Sequence, residues 1–240
     1  MHVRAYVDGF NTYYGGRALA CGSAGWKWLD LRALVTHVAQ RHWADASIDR
    51  VVYCTARIHA HDNPSGHRDQ DVYLKALLRS GSVDWIEHGR FYEKTKVRPL
   101  ATAGRNGMPI ITRSGGPVLV KDAAGGHVPE ARFMVTVADR EEKGSDVNVA
   151  SHLLVDAITR SMDAAMVVSN DSDLAYPIHE ARRRLPVGVV NPGAGRTAGA
   201  LVLRPAHGPG RHWEDRLHVG DLTAHQLSDP CHGYAKPVDW

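Results

Sequence analysis

Apolar and polar positions follow a strand-then-helix rhythm along most of the chain. Val3-Arg4-Ala5-Tyr6-Val7 is short and β-prone, and it runs directly into Asp8-Gly9-Phe10-Asn11, which predicts a strand ending in a turn. Leu31, Leu34, Val35 and Val38 recur at helical spacing, so residues 29–43 are expected to form an amphipathic helix with Asp30 at its cap or first turn. Residues 50–56 read as a buried strand, 69–80 as a helix and 83–86 as the start of a third strand. The rhythm returns with a strand at 133–137, a helix capped by Ser145, an apolar strand at 165–169, a helix over 174–185 and a strand at 187–190. Alternation of this kind predicts an α/β fold: a Rossmann-like parallel sheet with helices on both faces.

Residues 93–131 break that rhythm. They are rich in Gly and Pro, with the β-prone pieces Ile110-Ile111-Thr112 and Val118-Leu119-Val120 between the turn signals. This predicts a β-hairpin insertion rather than a second domain. After Pro192 the pattern fades. The expected organisation is one domain over 1–220 with a basic insertion, followed by a polar tail at 221–240.

Charge changes the picture locally. The 240-residue chain carries a formal net charge of only +3. Yet residues 90–121 hold Arg90, Lys94, Lys96, Arg98, Arg105, Arg113 and Lys121 against Glu93 alone. Such a segment reads either as a path for a polyanion or as a solvated loop. Cys21, Cys54 and Cys231 are odd in number and widely spaced, which fits a reducing cytoplasm better than a disulfide framework. No apolar run approaches the ~20 residues of a membrane helix, and Asp8 interrupts any signal-like core. A cytoplasmic protein without membrane contact is expected. Homo-oligomerisation is left open.

The chemistry is expected where strands of a parallel sheet end. The first strand delivers Asp8. The strand at 165–169 delivers Ser169, Asn170, Asp171 and Asp173. The helix beginning near Ser145 carries Asp146. Each carboxylate alone is better read as a helix cap or a complement to the helix dipole. Four on one sheet edge repel one another unless a cation neutralises them, and an all-oxygen set selects Mg²⁺ or Mn²⁺. Lys143 reads as a phosphate contact or as a surface ammonium balancing Glu141 and Glu142. Ser169 and Asn170 read as groups that position a water or phosphate, or that satisfy strand-end backbone. His59-Ala60-His61-Asp62 lacks a zinc-hydrolase spacing, and Gly193-Ala194-Gly195-Arg196-Thr197-Ala198-Gly199 reads as a turn rather than a dinucleotide loop.

Three segments carry a family resemblance: Tyr6-Val7-Asp8-Gly9-Phe10-Asn11, Glu142-Lys143-Gly144-Ser145-Asp146-Val147 and Val168-Ser169-Asn170-Asp171-Ser172-Asp173-Leu174. In order and placement they resemble the signatures of the NYN family, within the PIN-like metal-dependent nucleases. The resemblance implies a PIN/NYN sheet and an acidic pocket of Asp8, Asp146, Asp171 and Asp173 that is both catalytic and metal-binding. Asn11 would orient the first carboxylate. His152 stands where many relatives carry a further acid, and the basic insertion lies outside the minimal family pattern. The implied function is a Mg²⁺- or Mn²⁺-dependent endoribonuclease. The charge of the insertion, and not the resemblance, predicts that Lys94, Lys96, Arg98 and Arg113 hold the RNA. The alternatives are an RNA-binding or assembly module with little catalysis and a Mg²⁺-dependent phosphomonoesterase.

Overall fold

The computed structural model describes residues 1–105, 108–115, 119–202, 208–238 and 240. The chain divides into a larger unit, Met1–Arg90 with Glu142–Trp240, and a smaller one, Phe91–Glu141. In chain order the elements are β1 (His2–Asp8), α1 (Gly9–Ala20), α2 (Leu31–His42), β2 (Ser47–Ala56), α3 (Pro64–Ser80), β3 (Trp85–Pro99), β4 (Ala101–Ala103), β5 (Pro109–Ile111), β6 (Met134–Lys143), α4 (Ser145–Thr159), β7 (Ala164–Val168), α5 (Ala175–Arg182), β8 (Val187–Asn191), β9 (Trp213–Arg216) and α6 (Val219–Ala224). Seven strands form a mostly parallel sheet in the order β6-β3-β2-β1-β7-β8-β9. Every pairing from β3 through β9 is parallel.

The central strands are apolar on both sides because helices cover both faces. On one face Val3, Ala5 and Val7 of β1 pack with Leu34 and Val38 of α2 and with Leu74 and Leu77 of α3. On the other, Tyr6, Cys54, Val167 and Val189 meet Val149 and Leu153 of α4 and Ile178 of α5. That alternation along β1 is the period-2 pattern of a strand buried on both sides. The expected α/β class and parallel sheet are therefore present.

Several local expectations change. The turn after β1 continues into α1, which a helical pattern hides because close packing requires glycine there. A Cβ on Gly15 would lie 2.6 Å from the Pro192 carbonyl, and one on Gly16 would lie 2.6 Å from the Trp26 ring. Ser145 does not cap α4. Gly144, at φ 106°, holds the cap position, and Glu142 Oε1 accepts from both Ser145 N and Ser145 Oγ. In the insertion Ile110 and Ile111 pair antiparallel with Thr102 and Ala101, while Val118 of the second β-prone piece lies outside the described residues.

The expected polar tail at 221–240 is part of the larger unit. Leu222, Leu227 and Cys231 are buried, and the Trp240 ring packs edge-on against Trp28 and Tyr73. Scattered apolar residues in a polar segment give no periodicity, yet they suffice to close the end of a core. No helix among the described residues is long and apolar enough to cross a membrane.

The edge strand β9 sets a sharp steric test. A Cβ on Gly188 of β8 would lie 2.2 Å from the Trp213 indole, which also stacks on His42 and meets Trp43 edge-on. Gly188→Ala should therefore destabilise the fold by about 2 kcal/mol through overpacking. Urea denaturation with an unchanged midpoint would show that the indole moves aside freely.

Candidate functional site

β1 and β7 are adjacent and end together, which brings Asp8 beside the segment 169–173. Asp8 is fully buried. Its Oδ1 accepts from Asn11 N at 3.0 Å, and its Oδ2 accepts from Asn11 Nδ2 at 2.7 Å and Ser169 Oγ at 2.8 Å. The same carboxylate thus caps α1 and ties β1 to β7. Burial raises its proton affinity, while the bonds from Asn11 and Ser169 oppose the rise. Ser169 Oγ in turn accepts from Asp171 N at 3.1 Å, and Asp171 Oδ1 accepts from Asp173 N at 2.9 Å at the start of a short 3-10 turn. Asn170 joins the strand ends to the following loop: its N donates to Asn11 Oδ1 and its Oδ1 accepts from Ala198 N. Ser169 and Asn170 therefore satisfy neighbouring polar groups at the strand ends.

Asp146, in the first turn of α4, faces the same acids. Burial pushes its pKa up to about 7, with further contributions from Asp8, Asp171, Glu142 and Asp173. All four expected carboxylates thus share one electrostatic field. Cys54, at the end of β2, lies within it. Burial raises the thiol's proton affinity, and Asp8, Glu87 and Asp146 raise it further, so this cysteine stays protonated.

Glu87 is the residue that the sequence reading missed. It accepts from Trp85 Nε1 at 2.7 Å and lies 3.0 Å from His152 Nε2. Burial opposes its ionisation, but the bonds from His152 and Trp85 outweigh that and hold its pKa low. So His152, standing where the resemblance implies an acid, meets a carboxylate delivered by β3. The strand-end rule could have found Glu87. It was hidden because β3 continues to Pro99, leaving no visible end in the sequence. Lys143 is exposed beside the Gly144 turn.

The basic residues assigned to an RNA path lie in the smaller unit. Lys94 pairs with Glu141 at 3.2 Å, Lys96 pairs with both Asp139 and Glu141, and Arg113 pairs with Glu130 at 2.6 Å. The bonds to Asp139 and Glu141 raise the Lys96 pKa. Arg98 is exposed on β3. Three of the seven cations in 90–121 are thus paired with acids that lie beyond residue 121.

Beside the acids runs a cleft of about 350 Å³. One wall is α1, through Phe10, Tyr14 and Ala18. The other is the loop Pro192–Gly195, and Asn11 and Asn170 stand where the cleft meets the acidic site. The glycine loop read as a turn is that wall. Asn191 shapes it, with Nδ2 donating to Gly195 O at 3.0 Å and Oδ1 accepting from Gly193 N at 2.8 Å.

No family model matches the chain. The 6-hydroxy-3-succinoylpyridine 3-monooxygenase of Pseudomonas putida is 28% identical over 264 aligned positions, spanning all of this chain and 75% of the relative. Among solved structures, a protein of unknown function from Vibrio parahaemolyticus matches 90% of this chain and 92% of its own length, at 14% identity and a TM-score of 0.45. The full-length relative overturns the expected Mg²⁺- or Mn²⁺-dependent endoribonuclease, and with it the RNA-binding module and the phosphomonoesterase, because its activity is an oxidoreductase's. The physical step that failed was the inference from clustered carboxylates to a metal. With a pKa near 7, Asp146 can relieve the repulsion by holding a proton instead.

Proposed function

We propose that this protein is an oxidoreductase that inserts one oxygen atom into a small hydroxylated heteroaromatic acid, at the edge of an NYN-like sheet. The observation that carries the reaction class is the full-length similarity to a monooxygenase. The NYN-like assignment is supported by the three motif segments, which fall at the β1–α1 junction, at the turn before α4 and just after β7.

In the relative's named substrate ring carbon 3 carries the succinoyl group and no hydrogen, so oxygenation there breaks the ring–acyl bond: ArC(O)R′, O₂, four electrons and four protons give ArOH, R′CHO and water, with the electrons drawn from two reduced nicotinamides. The chain's own share is proton handling and placement. Loss of the ring hydroxyl proton pushes charge into the ring and makes its carbons better nucleophiles. A base with a pKa near the working pH suits that step, and Asp146, at about 7, is the group we assign to it. Asn11 and Ser169 hold Asp8 rigidly beneath, where its charge keeps Asp146 basic.

A cofactor bearing a pyrophosphate does not fit at β1–α1. The Asp8 carboxylate already caps α1, where such a group needs backbone N–H donors, and Asp146 and Asp171 add negative charge. No step is assigned through such a group here, and the electrons are supplied in the assay by a reduced nicotinamide with added flavin. The test is incubation of the purified chain with 6-hydroxy-3-succinoylpyridine, NADH, FAD and isotopically heavy O₂. The expected product is a dihydroxypyridine that carries one labelled oxygen and has lost the succinoyl chain. Absence of labelled product, or undiminished turnover by Asp146→Asn, overturns the proposal.

A further inference from the structure

We propose that the cleft between α1 and the Pro192–Gly195 loop is the binding site for a planar aromatic carboxylic acid. Its ring would lie against Tyr14 and its carboxylate would meet Arg216. This deepens the small-molecule reading and rests on it.

The volume, about 350 Å³, lies at the small end of ligand pockets, which run from roughly 300 to 1,000 Å³. It suits one ring with a short side chain and is too small for a dinucleotide. Phe10, Tyr14 and Ala18 recur at every fourth residue of α1, so they stand in one row along the cleft wall. The Phe10 and Tyr14 rings are 6.5 Å apart and 21° from parallel, and Tyr14 is more than half exposed. A flat, exposed aromatic wall favours a flat aromatic guest.

The walls are formed before any guest arrives. Asn191 clamps Gly193 and Gly195, while Asn170 Nδ2 donates to Arg196 O and Oδ1 accepts from Ala198 N. A rigid site loses little entropy on binding.

The lining itself carries no charged side chain, and the charges that stand just beyond it differ in sign from one side to the other. At one end Asn11 and Asn170 border Asp8 and Asp171, which repel a carboxylate and welcome a ring hydroxyl or N–H. At the other, the β8–β9 pairing sets Arg216 beside Asn191, and Arg216 Nη1 reaches Ala194 O at 3.5 Å. That polarity orients an aromatic acid with its carboxylate towards Arg216 and its ring hydroxyl towards the acids.

Titration calorimetry tests this with two probes: 6-hydroxy-3-succinoylpyridine, and 2-hydroxypyridine, which lacks the acidic side chain. Tyr14→Ala should weaken both about tenfold, Tyr14→Phe should preserve both, and Arg216→Gln should weaken only the acid-bearing probe about tenfold. Both positions are exposed, so folding should survive, as circular dichroism would verify. The site is overturned if the wild-type chain binds neither probe, or if the variants bind both as tightly as wild type. Binding that depends on Tyr14 and Arg216 without oxygenated product keeps the cleft and rejects the oxygenation reading. Oxygenation with Kd and KM unmoved in these variants does the reverse.

Discussion

Asp146→Asn is expected to raise the thermal midpoint at pH 8, to leave it unchanged at pH 3, and to remove turnover. The folded-state pKa of Asp146 is raised from 3.8 to about 7. Between those values the folded chain holds a proton that the unfolded chain has released, so stability falls as pH rises through the interval. Below it both states are protonated, and asparagine costs nothing relative to the neutral acid. Above it the ionised carboxylate is fully destabilising, and asparagine relieves that penalty. A shift of this size would correspond to about 4 kcal/mol for a dry group, but Asp146 is only half-buried and solvent screening reduces it. We expect about 2 kcal/mol, or roughly 4–8 °C, at pH 8. Turnover should fall at least ~100-fold, the usual contribution of a positioned base. The measurements are thermal melts at both pH values and initial rates of oxygen uptake. A midpoint that drops at pH 8 would show that the carboxylate is held by structural bonds rather than strained by its neighbours.

The legible part of the fold was the part in which one periodicity persists. β2, α2, β7 and β8 are apolar runs or stripes with clean boundaries, and the sequence locates each within a few residues. α1 was lost because Gly15 and Gly16, which weaken a helical signal, are demanded by contact with Pro192 and Trp26. β9 and α6 were lost because Trp213 and Leu222 are single anchors in polar surroundings. For the site, the rule that polar residues gather at strand ends located Asp8, Asp146 and Asp171 correctly on one edge. It did not say what they do. A carboxylate cluster is equally a metal cage or a proton store, and the choice depends on burial and hydrogen bonding, which residue types do not encode. Asp8 illustrates this: its Oδ2 already receives Asn11 and Ser169. The cleft was invisible for a related reason. Tyr14 and Arg216 are 202 positions apart, and only the β8–β9 pairing and the packing of α1 on Pro192 bring their surroundings together.

Asp8→Ala is expected to cost about 3 kcal/mol, the largest loss of stability among single substitutions in the site. The carboxylate is the common acceptor for Asn11 N, Asn11 Nδ2 and Ser169 Oγ. Removing it leaves these donors without their acceptor in a buried place, and each such group costs about 1–3 kcal/mol before water enters the vacated space. It also removes the cap of α1, a loss of about 1 kcal/mol. The damage spreads, because Ser169 Oγ accepts from Asp171 N and so orders the turn that carries Asp171 and Asp173. One effect opposes the loss. Burial has raised the proton affinity of Asp8, and Asp171 adds to it, so alanine relieves a desolvated charge. That relief exists only where Asp8 is ionised. It is absent at low pH and grows as pH rises through the raised folded-state pKa. The loss measured by urea denaturation should therefore be greater at pH 4 than at pH 8. Asp8→Asn should fall between wild type and alanine, since its single amide oxygen can replace only one carboxylate oxygen: at Oδ2 it keeps the bonds from Asn11 Nδ2 and Ser169 Oγ and sets the NH₂ against Asn11 N–H. If alanine matches wild type at both pH values, the hydrogen bonds to Asp8 contribute no more than its burial costs. The carboxylate would then be retained for chemistry alone.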